Sequence, residues 1–267
     1  MKYLSIFFYF IIALPFYADG VILETAYQFS PPKYYPEGDV IKGVCYDIIT
    51  ELNERLRVDS IKIQPKNPKG PFRPLKRLLY DLKKGKIDMF VGLAKTADRE
   101  QIYQFSTVPV YEVSSVFAKS KKDSFDFRGS ISLKGKKISY LRGSKTGREL
   151  KKIDGIITQG VPKLTTALEK LGYGKVDLIF YHNMGLLFTA KKLGVLDRID
   201  LTKTSYGIYY QYIAFNKQIS SEIIEKIDEA LFEMMEDGSL DRIVQDYLGA
   251  SYKPVVPDST HQAQSRE

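Results

Sequence analysis

Few residues in this chain could carry covalent or metal chemistry. There is one cysteine, Cys45, and there are two histidines, His182 and His261. A lone cysteine forms no internal disulfide, and so few thiols and imidazoles cannot build a zinc cluster. A Ser-His-Asp arrangement would have to use His182, because His261 lies in a polar tail. No acid/base constellation is visible. The composition thus argues against many catalytic classes, and no cofactor or metal is expected.

Any such residues need elements to position them. With 267 residues, 44% apolar and 27% charged, the chain fits one large globular domain or two modest ones. The formal charge is +8. Its lysines are interspersed with acids, as in Lys83-Lys84-Gly85-Lys86-Ile87-Asp88, which describes a solvated surface with a cationic bias. No nucleic-acid partner is expected, although such a surface favours anionic solutes. Residues 1–20 have the anatomy of a secretory signal peptide: Lys2, an apolar run from Leu4 to Leu14, Pro15, and Ala18 near the cut. That run is short of the roughly 20 residues a span needs. A cut near Ala18 to Gly20 and a periplasmic address are expected.

Helical spacing marks Gly43–Leu56, Pro74–Lys84 with Gly85 as its stop, Val161–Leu171, Met184–Leu193 and Ser220–Met235, the last capped by Ser220 or Ser221. β-rich runs mark Val21–Tyr27, Ile61–Ile63, Ile87–Gly92, Tyr111–Ala118, Lys137–Leu141, Val176–Tyr181 and Ile208–Phe215. Two β/α successions of this kind predict an α/β protein of two lobes, each a mostly parallel sheet flanked by helices. Ligands in open α/β sheets collect beyond the C-terminal ends of strands. The segments to inspect are therefore Tyr27–Tyr35, Gly92–Arg99, Gly143–Gly147 and Tyr181–Met184.

The chain resembles the bacterial extracellular solute-binding proteins of family 3, the polar amino-acid binders of ABC importers, from about Val21 to Gly249. Ser30-Pro31-Pro32-Lys33-Tyr34 resembles the family's Pro-Pro-Phe-x-Tyr turn. Gly43-Val44-Cys45-Tyr46-Asp47-Ile48 resembles its Gly-Phe-Asp-Val-Asp-Leu helix opening. Gly85-Lys86-Ile87-Asp88, followed by Thr96-Ala97-Asp98-Arg99 and Phe105-Ser106, is the most specific match. Leu133 to Ile138 with Gly143-Ser144-x-Thr146 resembles the entry to the second lobe, and Asp237 to Ile243 the C-terminal helix. The resemblance implies a type II periplasmic-binding fold with two crossings between lobes. Its expected division is 21–112 for the first part of lobe 1, 113–206 for lobe 2, 207–250 for the return to lobe 1, and 251–267 as a disordered tail.

By the same resemblance Arg99 stands where the family's ligand-gripping arginine stands, and a guanidinium matches a carboxylate bidentately. The competing reading is a surface arginine paired with Glu100. Ser144 and Thr146 would close on the ligand from the second lobe; Thr146 would equally serve as the cap of the next helix. Gly92 and Ala94 stand where hydroxyl residues often help. Family members usually hold an α-ammonium with acids at positions occupied here by Tyr27 and His182, neither of which carries a fixed negative charge. Tyr27 and Tyr34 are expected as aromatic ligand contacts, with ordinary core or rim as the alternative. His182 is balanced between a satisfied structural histidine and a cleft residue.

The function implied is a periplasmic solute-binding protein, the receptor of an ABC permease for a small anionic or zwitterionic carboxylate, expected as a monomer and not an enzyme. The alternatives are a cyclohexadienyl-dehydratase-like enzyme using His182 as proton shuttle, and a ligand sensor.

Overall fold

The computed structural model describes residues 20–142, 144–202 and 205–249, without the side chain of Lys145. Residues 1–19 of the expected signal peptide, the expected tail 251–267 and Gly143 lie outside the described residues.

In chain order the strands and helices are β1 (Val21–Thr25), β2 (Tyr35–Glu37), β3 (Val40–Lys42), α1 (Val44–Arg55), β4 (Ile61–Pro65), α2 (Leu75–Lys83), β5 (Met89–Ala94), α3 (Ala97–Glu100), β6 (Gln104–Phe105) and β7 (Tyr111–Ser120). There follow β8 (Lys137–Leu141), α4 (Lys145–Leu150), β9 (Ile157–Val161), α5 (Leu164–Gly172), β10 (Leu178–His182), α6 (Asn183–Lys192), β11 (Ile199–Leu201), β12 (Gly207–Phe215), α7 (Ser221–Glu236) and α8 (Ser239–Leu248). The architecture is the expected two-lobed α/β arrangement.

In the first lobe β1 and β4 pair in parallel, from Val21 opposite Ile61 to Thr25 opposite Pro65. Strand β5 lies beside them, fastened by Thr25 Oγ1 on the Met89 carbonyl at 2.9 Å and by the Asp88 carboxylate on the Glu24 N–H at 2.7 Å. Its run Met-Phe-Val-Gly-Leu is buried throughout, as a central strand demands. In the second lobe β8 pairs in parallel with β9 and β10. The crossing strands contribute antiparallel pairs: β12 to β5 and β7, and β7 to β10. One sheet therefore runs β5-β12-β7-β10-β8-β9 through both lobes.

The largest apolar cluster gathers Phe90, Phe215, Ile48, Leu52, Leu231 and their neighbours. The second lobe buries one sheet face under α5 and α6, with Ile179, Leu168 and Leu186, and the other around Phe117 and Phe180, stacked at 4.5 Å. Helix α7 shows why its sequence is helical. Ser220 caps it by accepting from the Ile223 N–H, and Ile224, Ile227, Leu231 and Met234 form its buried stripe. One boundary needs correction. Val161 ends β9 opposite Leu141, and α5 begins only at Leu164. Pro162 disfavours helical geometry at the residue before it.

Candidate functional site

The turn at Pro31-Pro32 seats the first wall. It closes with Ser30 N–H on the Tyr34 carbonyl at 3.0 Å, and its Pro32 and Lys33 carbonyls accept the first N–H groups of α1. This orientation sends the Lys33 side chain inward across β5. Its ammonium donates to the Gly92 carbonyl at 2.6 Å and lies 5.6 Å from the centre of the Phe90 ring. Gly92 makes the passage possible. Its φ is +88°, and a Cβ there would stand 2.7 Å from both Cys45 Sγ and Tyr111 Oη and 3.0 Å from Lys33 Cε. Cys45 is buried at the start of α1, as its small apolar character suggests.

Beyond β5 the short α3 presents Arg99. Its guanidinium is half-buried and donates to the Ala94 carbonyl at 2.7 Å. Glu100 pairs instead with Lys95, at 3.2 Å. Among the described residues no carboxylate pairs with Arg99 or Lys33. Burial lowers the pKa of Lys33, and the Arg99 charge adds to the effect; burial likewise lowers Arg99.

The second lobe brings up His182 at the end of β10. Its Nδ1 accepts the Gly185 N–H at 3.0 Å, which makes it the N-cap of α6 and leaves the proton on Nε2. Burial, with the Lys33 charge second, pushes its pKa down to about 3. The imidazole is neutral at physiological pH, and it lies within the field of a cation from the opposite lobe. His182 is thus a satisfied structural cap whose ring feels the Lys33 charge.

Ser144, rather than Thr146, caps α4. Its hydroxyl accepts from the Gly147 N–H at 2.9 Å, donates to the Leu141 carbonyl at 2.7 Å, and stands 3.0 Å from the Thr146 hydroxyl. Thr146 is buried inside the helix. A cap needs the non-helical backbone that Ser144 has, with ψ at 157°. These hydroxyls are committed within the lobe.

The aromatic expectations meet a packed wall. Tyr34 is fully buried, with its hydroxyl on the Val91 carbonyl at 3.0 Å, so it stands behind the cleft surface. Tyr27 stacks on it at 4.9 Å, meets Tyr46 and Phe72 edge-on, and keeps only 2% of its surface exposed. Both are core residues here, because stacking and burial of a phenol outweigh its hydration. Burial raises both phenol pKa values.

The donors that the two lobes bring within electrostatic reach of one another are therefore Arg99 and Lys33, and Lys33 and His182, whose Nε2 carries its proton. All are donors, and two are cations. Such a set suits an anion and offers no charge to an ammonium. Lys33 is the residue that sequence reasoning passed over. Its signal was a charged residue between Pro32 and Tyr34, both buried, where the resembled turn has phenylalanine. Among the described residues no group of three or more His, Cys, Asp or Glu could hold a metal ion, and no helix is long and apolar enough to cross a membrane.

Comparison with known proteins supports the architecture. The L-cystine-binding protein TcyA of Bacillus subtilis (strain 168) is 25% identical over 232 residues, covering 86% of this chain and 82% of that protein. A probable histidine-binding protein of Campylobacter jejuni is 26% identical over 225 residues, covering 82% of each. Among solved structures, the probable amino-acid ABC transporter extracellular-binding protein ytmK of Bacillus subtilis superposes with a TM-score of 0.71 at 20% identity, covering 87% of this chain and 99% of that one. Substrate binding domain 2 of Lactococcus lactis GlnP, in an open conformation, gives 0.70 at 18% identity, covering 88% and 98%. Residues 21–250 match the family as a whole, and the chain belongs to the bacterial extracellular solute-binding proteins, family 3.

Proposed function

We propose that this protein is the receptor of an ABC importer for a small solute bearing a carboxylate, an amino acid or a related organic acid. The observation that carries the reading is the Arg99 guanidinium: half-buried, held by one backbone carbonyl, and without a carboxylate partner among the described residues. A desolvated guanidinium in that state has N–H donors left for a ligand carboxylate. The relatives support the transport setting, since their names describe amino-acid binders, and ytmK is named as part of an ABC transporter. In this reading residues 1–20 are the leader that delivers the chain outside the cytoplasm. The lobes divide near residues 112 and 206, where the crossing strands β7 and β12 pair. A dehydratase would need His182 as its shuttle. An imidazole with pKa of about 3, and with Nδ1 occupied by the Gly185 N–H, is poorly matched to proton transfer near neutrality.

The test is thermal stability of the purified protein against a panel of amino acids and organic acids, followed by titration calorimetry on those that stabilise. Arg99→Ala is expected to keep the fold and to weaken each of them about 100-fold, the loss of a charged two-point contact. Unchanged affinity in that variant would overturn the reading.

A further inference from the structure

We propose that Lys33 is a second anion-holding group of the cleft, and that the solute carries two anionic groups, a dicarboxylate or a carboxylate joined to a phosphate or sulfonate, without a free ammonium. The inference rests on the reading of Arg99 as the grip on a carboxylate and extends it to the other end of the ligand.

An ammonium has three N–H donors. Lys33 spends one on the Gly92 carbonyl and lies over the Phe90 ring. A partly buried lysine whose ammonium is turned inward is ordinarily paired with a carboxylate. Here its neighbours are the Cys45 thiol of α1, Tyr34 of the turn, the Tyr111 phenol of β7, Arg99 of α3 and His182 of β10. Burial raises the thiol and the Tyr34 phenol, so both stay protonated, and His182 stays neutral. None supplies a negative charge, and Arg99 adds a second positive one. One carboxylate on Arg99 would leave the lysine charge uncompensated. A second anionic group would neutralise it and take up its remaining donors, with the His182 Nε2–H adjacent. A ligand ammonium in the same place would meet only donors and like charge.

Burial and the Arg99 charge also hold the Lys33 ammonium below its usual pKa. An arriving anion acts in the opposite direction and raises it again.

The experiment titrates glutarate and succinate, their monocarboxylate counterparts valerate and butyrate, and glutamine into wild type, Lys33→Met, Lys33→Gln and Arg99→Ala. Unfolding curves verify that each variant is folded; glutamine in place of the lysine keeps a polar tip should methionine disturb the turn. In wild type a dicarboxylate is expected to bind at least about tenfold more tightly than its counterpart and than glutamine. Either Lys33 variant should lower dicarboxylate affinity about 10- to 100-fold and monocarboxylate affinity by at least about threefold less than that. Dicarboxylate binding unchanged in both Lys33 variants but lost in Arg99→Ala overturns the assignment of Lys33 alone, as does a wild-type preference for glutamine. Binding unchanged in Arg99→Ala overturns the carboxylate reading beneath it. No binding by any acid overturns both.

Discussion

Replacing His182 by asparagine separates its two roles. Asparagine is a favoured N-cap and offers an oxygen to the Gly185 N–H, so the start of α6 is kept while the titrating group is removed. In wild type the folded protein resists protonation of His182 until about pH 3, whereas the unfolded chain takes the proton near 6.5. Between those values the unfolded state binds more protons, so stability falls as pH falls. The loss is negligible at about pH 7.5. At about pH 5 it amounts to RT ln(1 + 10^1.5), about 2 kcal/mol. Urea unfolding followed by circular dichroism, at both pH values, measures it. Asp47 and Asp228, which burial raises, act with the opposite sign because the folded form accepts their protons first. They are common to both proteins and cancel in the difference. Wild type should lose about 2 kcal/mol more than His182→Asn on acidification. Equal losses would refute the argument, since they would mean that water and counter-ions reach the imidazolium in the folded protein. Adding Lys33→Met should shrink the wild-type loss, because the lysine charge is the second cause of the shift.

Gly92→Ala should cost about 2–4 kcal/mol in urea unfolding, from a positive φ and a Cβ forced against Cys45 and Tyr111; it should also displace Lys33 and weaken dianion binding in calorimetry. A cost below about 0.5 kcal/mol would show that β5 can turn without glycine. Ser144→Ala should lower stability by about 1 kcal/mol, read as a drop of roughly 2–4 °C in Tm, while Ser144→Asp restores it; an alanine variant as stable as wild type would mean that the cap of α4 contributes nothing.

The elements with strong apolar periodicity were legible. Helices α1, α2 and α7 and strand β8 stand where spacing placed them, because their buried stripes decide their conformation. Strand β9 was not visible. Its Ile-Thr-Gln-Gly-Val run is half-exposed at the sheet edge, where pairing with β8 rather than burial holds it. The resemblance likewise singled out Arg99 and His182 but could not say what each touches. Tyr27 and Tyr34 sit in a segment that the fold points at the cleft, and only packing shows that their rings face each other. Lys33 was one of 40 cationic residues. What separates it from the others is a path across Gly92, which depends on a glycine 59 residues further along the chain.

The placement of His182 beside Lys33 follows from how α6 is held at both ends. At its start Asn183 Oδ1 accepts the Ser114 N–H at 3.1 Å, tying the helix to the middle of β7, where the two lobes share one sheet. Further along, Phe188 packs on Tyr35 of the first lobe with ring centres 5.3 Å apart, and Lys191 donates to the Asp246 carbonyl of α8 at 3.0 Å. Met184 and Leu187 belong to the same apolar cluster as Phe90. Helix α6 is thus a second-lobe element seated on the first lobe. A bend of β7 and β12 that preserves this contact keeps His182 near Lys33, while α4 packs within its own lobe, on β8 and β10. The donor set of the cleft is then largely assembled before closure. On the proposed dianion reading, an entering solute would meet Arg99, Lys33 and the imidazole at one wall, and closure would add the second wall without having to build the charge recognition.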